Sequence, residues 1–311
     1  MTRTVLLGYG FAIPNNPSDT VSLRFNAPLT PAQERIRARQ PQPLHPGIYP
    51  LAREAEPFYP KELTSLFHIL TASPFEIPLL EKFPNADIVS IRNEVATQFQ
   101  LFIAIGRKLD GFGTDPGEPQ NESQFVAKIL RDGQMDILKR AISYSENEMK
   151  KISAQHQGSN IFTIETAMTR KSPFASAVEK CFEATSAEEL IEAEQDDIVF
   201  VLFLCWKLLC CSHEPQWRRW FEATTTHYPL PKEGGADDGD VGDDDDDVDG
   251  GIGDVFNAIF PDAAQLAPQV FGGDRWTPAL MAWAMNIYQS EGVNAVVDGK
   301  MVYMISIEIH E

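Results

Sequence analysis

Several stretches hold side chains able to do chemistry. Between Asp237 and Asp254 ten aspartates occur with no basic residue. Within them, Asp245-Asp-Asp-Val-Asp-Gly-Gly-Ile-Gly-Asp-Val-Phe256 puts oxygen ligands at loop positions 1, 3 and 5, Gly250 at 6 and Ile252 at 8, as in a calcium loop. Position 12, where a glutamate should ligate with both oxygens, is Phe256, and no helical pattern enters the tract. The run reads as a solvated linker, with cation binding as the alternative. Cys210, Cys211 and His213 lie close enough to raise zinc, but no second ligand pair stands at a suitable spacing, so no metal site is expected. Gly106, Gly111 and Gly113 match neither nucleotide fingerprint and read as the end of a helix. There is no Gly-x-Ser-x-Gly, and the histidines at 45, 68, 156, 213, 227 and 310 occupy unrelated contexts, so no nucleophilic triad is indicated and no catalytic residue is assigned. Trp217, Trp220, Trp276 and Trp283 read as core residues rather than a ligand cage.

The elements that would position these groups are mostly helical. Val21, Leu23 and Phe25 alternate with Ser22 and Arg24, as in a half-buried strand. Eight prolines from Pro28 to Pro60 exclude a continuous helix or central strand and define an extended connector, with a short helix over 32–39. Helices are predicted over 61–72 and along the stripe Ile88, Ile91, Val95, Phe99, Phe102, Ile103. Two more are predicted over 122–130 and 134–152, with Ile137, Leu138, Ala141 and Ile142 inward. Ser186-Ala-Glu-Glu189 has capping-box spacing and is expected to introduce a buried helix through Cys211. A helix over 216–225 follows. The Gly/Asp stretch beyond Pro231 lacks the apolar area to offset the entropy of ordering it and is expected to be disordered. Thr277-Pro278 is an N-cap with proline at the first helical position, and Asp298-Gly299 marks the turn of a hairpin.

Composition narrows the partners. The formal charge of −19 over 311 residues disfavours a phosphate-binding surface, so nucleic acid is not expected. Without the ten aspartates the remainder carries −9. The apolar run Ile198 to Trp206 is interrupted by Lys207 after nine residues, half of what a membrane span needs, and reads as a buried helix, so no membrane is expected. The four cysteines form no disulfide framework, and the first residues lack the apolar core of a signal peptide. An intracellular protein, cytoplasmic or nuclear, is expected.

Leu6-Leu7-Gly8-Tyr9-Gly10-Phe11-Ala12-Ile13-Pro14-Asn15-Asn16-Pro17, followed by Asp19-Thr20-Val21, resembles the end of the SET domain in protein-lysine methyltransferases of the Rubisco large-subunit methyltransferase class. There a leucine-rich turn leads into Tyr-Gly-Phe, an Asn/Pro-rich loop and an Asp-x-Val that opens a strand. The resemblance implies that Tyr9 lines the substrate-lysine channel and that Phe11 packs near the cofactor, S-adenosylmethionine. Such a channel must admit an uncharged amine in line with the sulfonium while excluding water, and aromatic walls with polar tips do both. The bland alternative is that both are core aromatics at a strand entry. The family's Asn-His cofactor motif, its transfer-point tyrosine and its Gly-rich cofactor loop all precede Tyr-Gly-Phe, and none is in these 311 residues.

The expected fold is therefore mainly α: a helical substrate-binding-like lobe with a short N-terminal β remnant of a SET domain and a C-terminal β-hairpin. The expected organisation is a SET remnant over 1–27, a proline-rich connector over 28–60, a helical domain over 61–230, an acidic linker over 231–254, and a helix plus hairpin over 255–311. The expected role is the C-terminal, protein-engaging part of a lysine N-methyltransferase, acting on a lysine-bearing protein. It would bind no S-adenosylmethionine alone and be inactive alone. The alternative is a non-catalytic helical interaction module whose acidic tract attracts basic protein tails.

Overall fold

The computed structural model describes residues 12–40, 47–55, 58–84, 89–115, 117–169, 172–210, 214–231 and 248–308, with backbone only at 248–251. It is mainly helical, with two small antiparallel sheets. The chain divides into two compact units. One is Met1–Gln155 with Asn294–Val302; the other is His156–Val293 with Tyr303–Glu311.

In the first unit, strand β1 (Thr20–Arg24) pairs antiparallel with β2 (Ile48–Ala52), Val21 opposite Leu51 and Leu23 opposite Tyr49. These four side chains are buried on one face, as the alternation in β1 requires. The second strand lies within the stretch expected to be an extended connector. Its Pro50 faces outward opposite Ser22, a place a two-stranded sheet tolerates. Between the strands, helix α1 (Pro31–Ala38) starts at a full capping box: Thr30 Oγ1 accepts from Gln33 N at 3.3 Å, and Gln33 Oε1 accepts from Thr30 N at 2.9 Å.

Helices α2 (Lys61–Leu70), α3 (Ile77–Lys82), α4 (Ile91–Asp110) and α5 (Glu122–His156) follow. The expected stripe of α4 is rotated. Ile91, Val95, Leu101 and Ile105 are buried, whereas Phe99, Phe102 and Ile103 are only half-buried; Ile88 lies outside the described residues. Asn93, Thr97 and Gln98 are buried with the apolar set: Asn93 and Thr97 bond to α2 and the loop after it, and Gln98 bonds to Glu94 one turn back on the same helix. The two helices expected over 122–152 are one, running through Gly133. A glycine costs a helix about 1 kcal/mol relative to alanine. The helix runs on through it, with the Gly133 carbonyl accepting from Arg53 Nη2 at 3.3 Å. Val21, Leu23, Tyr49, Leu51, Tyr59, Leu63, Phe67, Leu101, Ile137 and Leu138 share the main core of this unit.

In the second unit come β3 (Ile161–Thr163), α6 (Ile164–Ala167), α7 (Pro173–Phe182) and α8 (Ala187–Glu192), then α9 (Asp196–Cys210), α10 (Pro215–His227), α11 (Val248–Leu266), α12 (Pro268–Phe271) and α13 (Pro278–Glu291). Ser186 does cap a helix, accepting from Glu189 N at 3.3 Å. That helix is the short α8, and Glu189 turns back to Thr185 rather than to the cap residue. Glu194, left-handed at φ 56°, separates it from the buried α9. Helix α11 begins inside the stretch expected to be a disordered linker; 232–247 lie outside the described residues. Phe256 stacks on Phe260 at 4.6 Å and Phe260 meets Trp276 at 5.5 Å, so burial of aromatic area outweighs the cost of ordering glycines. Thr277 caps α13, accepting from Leu280 N at 3.1 Å ahead of Pro278.

The hairpin β4 (Gly292–Val297) and β5 (Lys300–Ser306) turns at Asp298 and Gly299, both left-handed at φ 51° and 74°. Strand β3 adds to β5, with Ile161 opposite Ser306. No single described helix is long and apolar enough to cross a membrane.

Candidate functional site

Tyr9 and Phe11 lie outside the described residues, so the structure places neither. The loop that follows them is described from Ala12. Asn15 is left-handed at φ 51°, Asn16 Oδ1 accepts from Ser18 N at 3.0 Å, and its carbonyl accepts from Asp19 N at 3.0 Å. The turn delivers the chain into β1 at Thr20. Arg53, one residue beyond β2, donates its backbone N–H to the Asp19 carbonyl at 3.1 Å. Its buried guanidinium reaches α5, pairing with Asp136 at 2.8 Å as well as with the Gly133 carbonyl. A Cβ at Gly133 would lie 3.4 Å from Asp19 Oδ2 and 3.6 Å from Arg53 Nη2. Asp19 and Arg53 thus anchor the start of β1 to the middle of the long helix.

Further along the same helix is an aromatic group. Phe58 stacks on Tyr144 at 5.8 Å, and Tyr59 meets Tyr144 edge to face at 5.3 Å. The Tyr59 hydroxyl donates to the Ala141 carbonyl at 2.7 Å and sits 2.6 Å from Ser145 Oγ. Burial pushes the Tyr59 hydroxyl far above the usual phenol range. Tyr144 is raised by burial and then by the charges of Glu148 and Glu94. Tyr49 is raised by burial, with Arg37 opposing. These three tyrosines keep their protons at neutral pH and can donate hydrogen bonds or pack against a cation, but not act as bases.

A buried polar network joins α2, α3 and α4. His68 Nε2 is 2.9 Å from Glu94 Oε2, and Gln98 donates to Glu94 Oε1 at 3.0 Å. Burial pushes the Glu94 carboxyl up, but the hydrogen bond and charge of His68, helped by Gln98, outweigh it and hold Glu94 below its usual range. Glu76, 2% exposed, accepts from Ser73 N and Arg92 Nη1, each at 2.8 Å, and from the Ser90 hydroxyl. The His68–Glu94 pair has the residue types of a proton relay, and no Ser or Cys nucleophile is bonded to it among the described residues; it ties α2 to α4, and Glu76 with Arg92 ties α4 to the start of α3. The sequence hides it because its members stand 26 residues apart with no periodic signal.

Of the calcium-loop positions, those from Val248 onward are helical and Phe256 is buried; Asp245 to Asp247 lie outside the described residues. Among the described residues no group of three or more His, Cys, Asp or Glu could hold a metal; His213 and Cys211 lie outside them. Trp217, Trp220, Trp276 and Trp283 are all buried in the core of the second unit. Charge divides unevenly. The sequence of the first unit holds 18 basic and 18 acidic residues, that of the second 8 and 27, so the whole net charge belongs to the second.

No family model matches the chain, and no solved structure matches it. Over part of its length it is a distant relative of a protein-lysine methyltransferase. That relative is the ribosomal lysine N-methyltransferase set10 of Schizosaccharomyces pombe, 25% identical over an alignment of 223 residues that covers 64% of this chain. The match spans 40% of the relative's own length.

Proposed function

We propose that this chain is the protein-engaging, C-terminal part of a SET-domain lysine N-methyltransferase of the Rubisco large-subunit methyltransferase class. The observation that carries the proposal is the match over 223 residues to a ribosomal lysine N-methyltransferase. It is supported by the order Tyr9-Gly10-Phe11, Asn/Pro loop, Asp19-Thr20-Val21, with β1 opening at Thr20 where the family's Asp-x-Val opens a strand. In this proposal Tyr9 stands in the lysine channel and Phe11 near the cofactor end. S-adenosylmethionine supplies the methyl group, and the residues that hold it lie outside this chain. The helices present a lysine-bearing protein, and the likeness to a ribosomal lysine N-methyltransferase makes a ribosomal protein the first to try. The excess of acid in the second unit, which includes the ten aspartates of the tract at 237–254, favours approach of such a basic protein.

Labelled S-adenosylmethionine supplied to the purified chain is expected to show no stoichiometric binding and no turnover. An immobilised chain is expected to retain a lysine-rich ribosomal protein, less so after deletion of 234–253 or in added salt. Micromolar cofactor binding with methylation would overturn the assignment of methyl transfer to residues outside the chain. Failure to retain any basic protein would overturn the engaging role.

A further inference from the structure

The corner between α9 and α10 builds an aromatic box around an ammonium. Lys207 Nζ lies 5.6 Å from the ring centroid of Phe203, 5.2 Å from that of Trp206 and 5.5 Å from that of Trp217, all within reach of cation–π attraction. Both oxygens of Glu214 accept from it, at 2.7 and 2.8 Å. The Lys207 side chain is 12% exposed and Glu214 50%, so the carboxylate marks the side open to solvent. Phe203 and Trp217 meet edge to face at 5.9 Å, and each packs in the core of the unit, so the walls are held whatever the occupant.

The spacing decides which ammonium the box suits. A methyl carbon rests about 3.5–4.0 Å from ring carbons, and a C–N bond adds about 1.5 Å. A methylated nitrogen therefore stands about 5.0–5.5 Å from a ring it touches. The Lys207 nitrogen, 5.2–5.6 Å from the three ring centroids, stands at or just beyond that distance while carrying only hydrogens, which leaves roughly a methyl's thickness on each side. Glu214 adds a second condition: an ammonium that keeps at least one N–H retains a charge-assisted hydrogen bond that a trimethylated one loses.

We propose that the Phe203, Trp206, Trp217 and Glu214 box recognises a mono- or dimethylated lysine side chain of a partner polypeptide, and that Lys207 is the internal occupant such a side chain displaces. The box itself stands on geometry alone; choosing methyl-lysine over other alkylammonium groups rests on the methyltransferase proposal. The net negative charge of the second unit favours approach of a lysine-rich chain. Lys207, tethered beside the rings, acts as a competitor at high effective concentration, so an incoming side chain binds weakly until its flanking contacts add to the box.

Calorimetric titration tests this with a short peptide carrying one dimethyl-lysine and with its unmodified twin. Lys207→Ala, which removes the internal competitor, is expected to bind the dimethylated peptide at least tenfold tighter than the wild-type chain does, with at least threefold preference over the twin. Adding Trp206→Ala is expected to abolish the gain. Equal binding by Lys207→Ala and wild type, or indifference to Trp206→Ala, overturns the box as a site. Tighter binding without preference for the methylated peptide overturns the methyl-lysine assignment alone, and the cofactor assay above is untouched by either result. Should Lys207→Ala not fold, acetylation of Lys207 in the wild-type chain is read by mass spectrometry with and without saturating trimethylammonium, which like dimethyl-lysine keeps one N–H. At least a threefold rise in labelling is expected, and no rise overturns the displacement.

Discussion

Replacing Glu76 by glutamine tests the account of the buried polar network directly. The carboxylate is 2% exposed and takes hydrogen bonds from the Ser73 amide, the Ser90 hydroxyl and Arg92 Nη1. Glutamine keeps the shape but removes the charge, and it offers donors where four donors already converge, Asn93 Nδ2 at 3.5 Å being the fourth. Breaking a buried pair by removing one partner costs about 3–5 kcal/mol. Arg92 is 12% exposed and keeps the Thr71 carbonyl at 2.9 Å, which places the expected loss near the lower end, about 3 kcal/mol. That corresponds to roughly a 150-fold fall in amide protection if local opening governs exchange. The assay is hydrogen exchange of peptides covering α2 to α4. Tryptophan fluorescence would miss the effect, since all five tryptophans belong to the second unit. A change of less than threefold in these peptides would refute the claim that the Glu76 charge holds the three helices together. A double-mutant cycle with Arg92→Ala, expected to show coupling of about 2 kcal/mol, separates the pair from general disruption.

Two further outcomes follow from the same unit. Gly133→Ala is expected to be neutral or to stabilise by up to about 1 kcal/mol, because its new Cβ meets Asp19 Oδ2 and Arg53 Nη2 at ordinary contact distances while gaining helix propensity; a loss of more than about 1 kcal/mol by exchange in α5 would contradict the geometry. Glu94, held below the ordinary value of 4.5, contributes stability that is present above that value and is lost as pH falls through its lowered folded value. His68→Gln is expected to remove most of that dependence, and identical acid profiles of α2 and α4 exchange in the two proteins would count against the pair.

What could be read from the residues was what depends on neighbours in the chain. Val21 and Leu23 alternate, the apolar run from Ile198 lies buried in α9, Thr277-Pro278 caps α13, and Asp298-Gly299 supplies two left-handed positions. What escaped depends on partners far along it. Strand β2 is legible only once β1 lies beside it, because three of its five residues are needed for the buried face or tolerated only at an outward position. Helix α5 passes through Gly133 with Arg53 and Asp19 beside it, both distant in sequence. Helix α11 starts among glycines because Phe256 and Phe260 find Trp276. The rotated face of α4 hides polar residues that bond to His68 and Glu76, and hydropathy counts such residues as outside. For the site itself, the resemblance at Tyr9 and Phe11 concerns residues the structure does not describe, whereas the anchor of Asp19 and Arg53 on α5 came from coordinates alone.

The chain leaves the first unit after Gln155 and comes back to it at Asn294. During synthesis, therefore, the ribosome must add nearly 140 further residues before that unit's last segment begins. At roughly 5–20 residues per second this is a wait of about 7–30 seconds. Over that interval an unfinished body is exposed to chaperones and proteases, and a nascent-chain protease pulse should find it cleavable until the hairpin emerges.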